Sequence, residues 1–275
     1  MTQSTEHDRT PVSEREPDFV LEGPFLWRER AMSLVLFAVI MGSWAIVTNY
    51  GGVPAYVIPT PQAVAKWLYA GFSVPLSNPA SLWYHTGVTV WEAFLGFVIG
   101  SFLGIIMGFG LAHWPVAERV LYPYVVAFQA LPKVAIAPLL VVWFGFGLDA
   151  KVLIVVIMTF FPLLVNSIAG YHAVDPERIE LAKVCNASGF QLFWFIVLPS
   201  AAPFIFAGLH MAAVISLLAA IVGEFVGAKA GLGLLLLQYN NSMQMGGVFA
   251  ILFILGVLGF ALNFAMQKLE ARLSY

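Results

Sequence analysis

Among the stretches of this chain without Asp, Glu, Lys or Arg are residues 31–65, 93–117, 152–174, 184–223 and 230–267. A helix crossing a bilayer needs roughly 20 predominantly apolar residues, so each stretch can hold at least one span. Charge is concentrated elsewhere, with 11 of the 28 charged side chains in the first 30 residues. The chain is 60% hydrophobic and 10% charged, against about 25% charged for a soluble domain. These features exclude a soluble enzyme, a nucleic-acid binder and a disulfide scaffold. Cys185 is the single cysteine, which leaves no internal disulfide and no cysteine-based metal site. The fold class expected is an all-α polytopic membrane protein with about six transmembrane helices.

The pattern predicts a cytoplasmic tail over 1–30 and a transmembrane domain over 31–275. The tail mixes both signs and lacks the apolar core and cleavage site of a signal peptide. Spans are expected at about 31–48, 88–112, 151–170, 203–223 and 246–266. A third, broken span is expected over 120–147, because Pro123, Pro132 and Pro138 forbid one straight helix there. The Gly-, Pro- and Ser-rich stretch 51–86 is too interrupted to cross and is placed at the far surface. Counting Lys and Arg by loop gives nine on the side of the N-terminus and three (Lys66, Lys151, Lys229) on the other. The positive-inside bias therefore predicts that both termini are cytoplasmic. Gly96, Gly100, Gly104 and Gly108 form three overlapping GxxxG units, a stripe that lets another helix approach closely. That helix can belong to the same chain or to another subunit.

The stretch 175–200 is too elaborate for a simple connection. Asp175-Pro176-Glu177 reads as a helix start, with Asp as N-cap, Pro at the first position and Glu beside the positive end of the dipole. Asn186 tolerates the left-handed conformation that closes a helix. Ser188, with Gln191 three residues on, reads as a capping box opening a second helix that stops at Pro199. Two capped helices with apolar side chains at the membrane surface point to a docking site for a partner.

Glu180-Leu181-Ala182, Ala187-Ser188, Gln191, Phe193 and Ile196-Val197-Leu198-Pro199, with Pro203, resemble the EAA loop of binding-protein-dependent ABC transporter permeases. The family's glycine, six residues after the glutamate, is Asn186 here. Beyond the loop, the resemblance includes Ile58-Pro59-Thr60-Pro61, the glycine stripe, Ala137-Pro138-Leu139-Leu140 through Gly147, and Gly223-Glu224 ahead of Gly231-Leu232-Gly233. Together these are similar to the nitrate/sulfonate/taurine branch, which includes permeases for pyrimidine precursors and aromatic acids.

The resemblance implies the type I importer permease fold in a bacterial inner membrane, with a cytoplasmic coupling-helix hairpin. It implies a second permease subunit, commonly identical, two ATPase subunits and an extracytoplasmic binding protein, with membrane lipid around the spans and no nucleic acid. It assigns ATPase coupling to Glu180, Leu181, Ala182, Asn186, Ala187, Gly189 and Pro199. The chain has no G-x-x-x-x-G-K-[ST] phosphate loop. It is therefore expected to be no enzyme and to bind no cofactor, with ATP and Mg held by the partner ATPases.

Ionisable residues within spans are expensive and mark functional candidates. Lys133 is a candidate for a water-filled path that attracts an anion, or for a lysine that snorkels from a helix break; Glu224 is a candidate for a gate, an interhelical hydrogen bond being the other reading. Trp143, with Phe128, Phe144 and Phe146, is a candidate lining residue. His210 is expected to pair between helices, and Glu92 to lie near the outer interface. No metal cluster or catalytic constellation appears in the sequence. The competing class is a secondary transporter built on inverted repeats with broken helices, but only the third span is visibly broken. An intramembrane enzyme would need a catalytic constellation, and none is apparent.

Overall fold

A computed structural model describes residues 26–273, which contain helices and no strands. Most of the tail expectation, and the last two residues, lie outside the described residues. The first helix, α1 (Leu26–Tyr50), starts before the expected residue 31, so Arg28, Glu29 and Arg30 form its first turns. A short helix α2 (Pro61–Ser73) follows, capped by Thr60, whose hydroxyl accepts from the Ala63 N–H at 3.2 Å. Then come α3 (Leu82–His113) and α4 (Pro115–Ala130).

At the end of α4 the backbone breaks. Leu131 is extended, with φ −65° and ψ 141°, because the ring of Pro132 disfavours helix in the residue before it. A 3-10 turn at Lys133–Ile136 and α5 (Ala137–Phe144) resume at a bend of 81°. Pro138 sits in the first turn of α5, where a missing N–H is harmless. The bend falls where the broken third span is expected. The order continues with α6 (Leu148–His172), α7 (Pro176–Val184), α8 (Gly189–Leu192), α9 (Leu198–Gly227), α10 (Leu232–Asn241) and α11 (Met245–Leu273). Five helical segments are long and apolar enough to cross a membrane, or six if the bent pair is one span.

The fifth span differs from expectation. Pro199 does not end the second helix of the 175–200 segment. One continuous helix runs from Gly189 to Gly227, through a π turn at Phe193–Val197 in which the Leu198 N–H donates to the Phe193 carbonyl. Widening the turn just ahead of Pro199 and Pro203 lets the chain pass two residues that lack an N–H without breaking.

The core is α3, α6 and α9. Glycines 96, 100, 104 and 108 are directed at α6, and a Cβ on each would collide with Val155, Thr159, Leu163 and Ser167 respectively. Each of these pairs is separated by 59 residues, so α3 and α6 run parallel and in register. The stripe therefore packs within the chain. At Gly104 a Cβ would also strike the Phe160 carbonyl, which is backbone and has little room to move. Gly104→Val is expected to destabilise the protein by about 1–3 kcal/mol, read as a fall in its thermal midpoint in detergent. An unchanged midpoint would contradict the close α3–α6 approach.

By contrast, no residue of α1 from Trp27 onward is buried. Trp44 ties it to the rest, donating from Nε1 to the Pro59 carbonyl at 3.0 Å and tilting its ring against Phe249.

Candidate functional site

The stretch 175–200 folds as a capped hairpin at one end of the bundle. The Asp175 side chain accepts from the Glu177 N–H at 2.9 Å, and Pro176 opens α7. At the other end of α7, Asn186 has φ +54°. The Ala187 N–H donates to the Ala182 carbonyl and the Asn186 N–H to the Lys183 carbonyl, each at 3.0 Å. This pair of bonds is a Schellman closure with Asn at the left-handed position. Ser188 then caps α8 as half of a reciprocal capping box, its own N–H donating to the Gln191 side chain at 2.8 Å. The departure from the family glycine at residue 186 is thus absorbed, because Asn visits the left-handed region at small cost.

Asn186→Val is expected to strain the turn by about 1–2 kcal/mol, while Asn186→Gly preserves it. Protease susceptibility of the segment in membranes distinguishes the two, the valine variant alone being cut faster.

Within the hairpin, Ala182 is buried and anchors α7. Glu180, Leu181, Gly189 and Pro199 are exposed, and Ala187 is half-buried. Leu181 is 65% exposed, Val184 83% and Phe190 73%, an apolar tip in which the Phe190 ring leans on Trp194 and is otherwise open. A tie at the same end of the bundle lies nearby, where His172 Nε2 stands 2.9 Å from the Glu118 carboxylate.

At the opposite end of the bundle, sequence reasoning missed a polar cluster. Glu92 of α3 is only 1% exposed and forms a buried salt bridge with Lys151 of α6. Glu92 is therefore not interfacial, and Lys151 is not an outer-surface charge. Without Lys151, the tally of basic residues becomes nine against Lys66 and Lys229. A signal was present in the sequence. Glu92 and Lys151 each stand 21 residues before the histidine that ends their helix, His113 and His172, which puts the opposite charges at one depth.

One helical turn from Glu92, Thr89 donates to Glu224 Oε1 at 2.6 Å and accepts from the Leu232 N–H at 2.8 Å. Glu224 Oε2 takes the Gly233 N–H. His85 completes the set: with Nε2 donating to the Pro79 carbonyl at 2.8 Å, Nδ1 accepts from the Gly231 N–H at 2.9 Å. Three side chains thus satisfy the first N–H groups of α10, a helix end that otherwise lacks partners, and the Glu224 charge suits its positive pole. Gly231 has φ +128°, and a Cβ there would lie on the Glu224 carboxylate. That close approach accounts for glycine at position 231. Glu224 is buried, with one oxygen bonded to Thr89 of α3 and the other to the Gly233 N–H of α10.

His210 pairs with Glu270 of α11 across 2.9 Å. Trp143 is exposed on α5. Lys133 lies at the break between α4 and α5. No group of His, Cys, Asp and Glu among the described residues is arranged to hold a metal ion.

Residues 100–275 match the family described as the binding-protein-dependent transport system inner membrane component. The chain belongs to this permease family. A Haemophilus influenzae protein described as an ABC transporter permease is 35% identical over 239 residues, 87% of this chain and 95% of that protein. The formylaminopyrimidine transport permease of Halalkalibacterium halodurans is 34% identical over 241 residues, covering 86% of this chain and 92% of the relative. Among solved structures, a chain of the MetNI methionine ABC transporter in an inward-facing conformation aligns with a TM-score of 0.57 at 18% identity, over 79% of this permease and 99% of that chain. At that identity the likeness is one of fold, the type I importer permease fold. The permease is a multi-pass inner-membrane protein, and its family implies ATPase and binding-protein partners.

Proposed function

We propose that this permease forms, with a second and identical copy, the translocation path of an importer driven by two ATPase subunits that hold ATP and Mg. The 175–200 hairpin is the coupling element and both termini are cytoplasmic. An extracytoplasmic binding protein delivers a small solute of the sulfonate, taurine, nitrate, aromatic-acid or pyrimidine kind.

The observation that carries this reading is the hairpin itself. Its two helices are fixed by an Asp cap, a Schellman closure and a capping box, yet its tip exposes Leu181, Val184 and Phe190. A rigid element with an exposed apolar tip suits insertion into a groove on another protein. Because α8 continues without a break into α9, a push on the hairpin is transmitted to a spanning helix. Closure of the ATPases then shifts the spans between inward- and outward-facing states through differential binding, with no catalytic group in this chain. Lys133 and Trp143 line the path. The Glu224 cluster braces the end of the bundle opposite the hairpin.

The test is to tag the chain, extract it gently from its native membrane and weigh its companions by mass spectrometry. One ATPase per permease is the expected stoichiometry. A stable complex lacking an ATPase, transporting in an ion gradient, would support the secondary-transporter alternative and overturn this reading.

A further inference from the structure

A lysine ammonium deep in a bilayer is costly unless paired or hydrated. Lys133 is at that depth. Its Nζ lies 5.1 Å from the ring centroid of Phe161. Phe161 stands 13 residues from the start of α6 and 11 from its end, about 20 and 17 Å along the axis at 1.5 Å per residue.

The ammonium donates to the Gln129 carbonyl at 3.1 Å, which uses one of its three N–H groups. No acidic side chain among the described residues forms an ion pair with it. The contrast with Lys151, which is fully buried where Lys133 is half-buried, is informative. Lys151 is closed off by Glu92, whereas Lys133 borders an open-sided cavity of about 420 Å³. That cavity is lined by Met158 and Pro162 from α6 and by Met211, Ile215 and Leu218 from α9, with no carboxylate in its wall. A site with an apolar wall, one cation and two free donors is complementary to an apolar or compact body carrying one acid group.

We propose that Lys133 and this cavity form a transit site for the acid group of an anionic solute, a sulfonate or carboxylate, and that the site repels cations. The assignment deepens the importer reading and rests on it. The depth excludes a phospholipid headgroup as occupant, since headgroups lie beyond either end of α6. The two donors face a ligand rather than a fixed carboxylate. The solute is therefore attracted without a permanent ion pair having to be broken at each passage.

The test uses the intact assembly in membrane vesicles carrying Met211→Cys. The probes are two methanethiosulfonates of similar size, one ending in a sulfonate and one in a quaternary ammonium. Modification at residue 211 is read by mass spectrometry of its peptide, separately from Cys185. With Lys133 present, the sulfonate reagent is expected to react at least about tenfold faster relative to its rate on a free thiol, from a unit charge acting over several ångströms at intermediate dielectric. Lys133→Gln should bring the two rates to parity and Lys133→Glu should invert the preference. Lys133 is half-buried and forms no ion pair among the described residues, so neither variant strands a buried countercharge and both are expected to fold.

Equal rates with Lys133 present, or a preference that survives Lys133→Gln, would overturn the charge assignment. Failure of both reagents to reach residue 211 would overturn the open cavity. Neither outcome depends on ATP. A loss of the importer reading would appear instead as an assembly without ATPase, whatever the labelling ratio.

Discussion

Lys151→Met is expected to cost the fold about 3–5 kcal/mol, because it leaves the Glu92 carboxylate buried without its countercharge. The loss should appear as a sharp fall in monodisperse protein on size-exclusion chromatography and in its thermal midpoint. Glu92→Leu alone should cost a similar amount for the converse reason. The double variant, with both charges removed, should regain most of the loss, since replacing a buried pair by apolar groups is often neutral or stabilising. That non-additivity is the signature of direct pairing. Independent, additive losses would contradict the α3–α6 bridge and with it the register in which the glycine stripe meets α6.

The second large effect is expected at Ala182→Pro. Ala182 is buried in the last turn of α7, and proline there removes a helix hydrogen bond and crowds the preceding turn, at about 3 kcal/mol locally. The hairpin packs on α3 and α9 through Ile179 and Leu192, but Ala182 is not among the residues of the α3–α6–α9 contacts, so the spans are expected to remain assembled. Transport should fall by the coupling free energy lost, about 5–150-fold for 1–3 kcal/mol, and hydrolysis by the ATPases should no longer respond to the loaded binding protein. Glu180→Ala, on the exposed side of the same helix, should act in the same direction with a smaller effect. Full uptake by the proline variant would remove the hairpin from the coupling role.

Features encoded locally in the chain were legible before the structure. The uncharged runs gave the spans. Pro132 gave the break, because a proline constrains its preceding residue wherever it occurs. Asp175, Asn186, Ser188 and Gln191 gave the hairpin, since caps are contacts between residues two to five apart. What was not legible depends on distant residues.

Glu92 reads as an interfacial charge until Lys151, 59 residues on, is placed beside it. Glu224 reads as a gate candidate until Thr89 and Gly233 occupy both its oxygens. Pro199 reads as a helix stop because the π turn that carries the chain past it has no short sequence signature. The glycine stripe falls between these cases. Its spacing announced a close helix approach but could not say whether the partner was α6 or another subunit.

The docking of the hairpin on an ATPase is the central claim, and the chain supplies a probe for it. Cys185, its single cysteine, is exposed at the C-cap of α7, next to the Asn186 turn. A thiol-reactive photo-crosslinker placed there in the purified assembly should capture the ATPase subunit, in a yield that changes between nucleotide-free and ATP-bound states. Crosslinks confined to this chain, lipid or the binding protein, in an assembly that still contains its ATPases, would contradict the account.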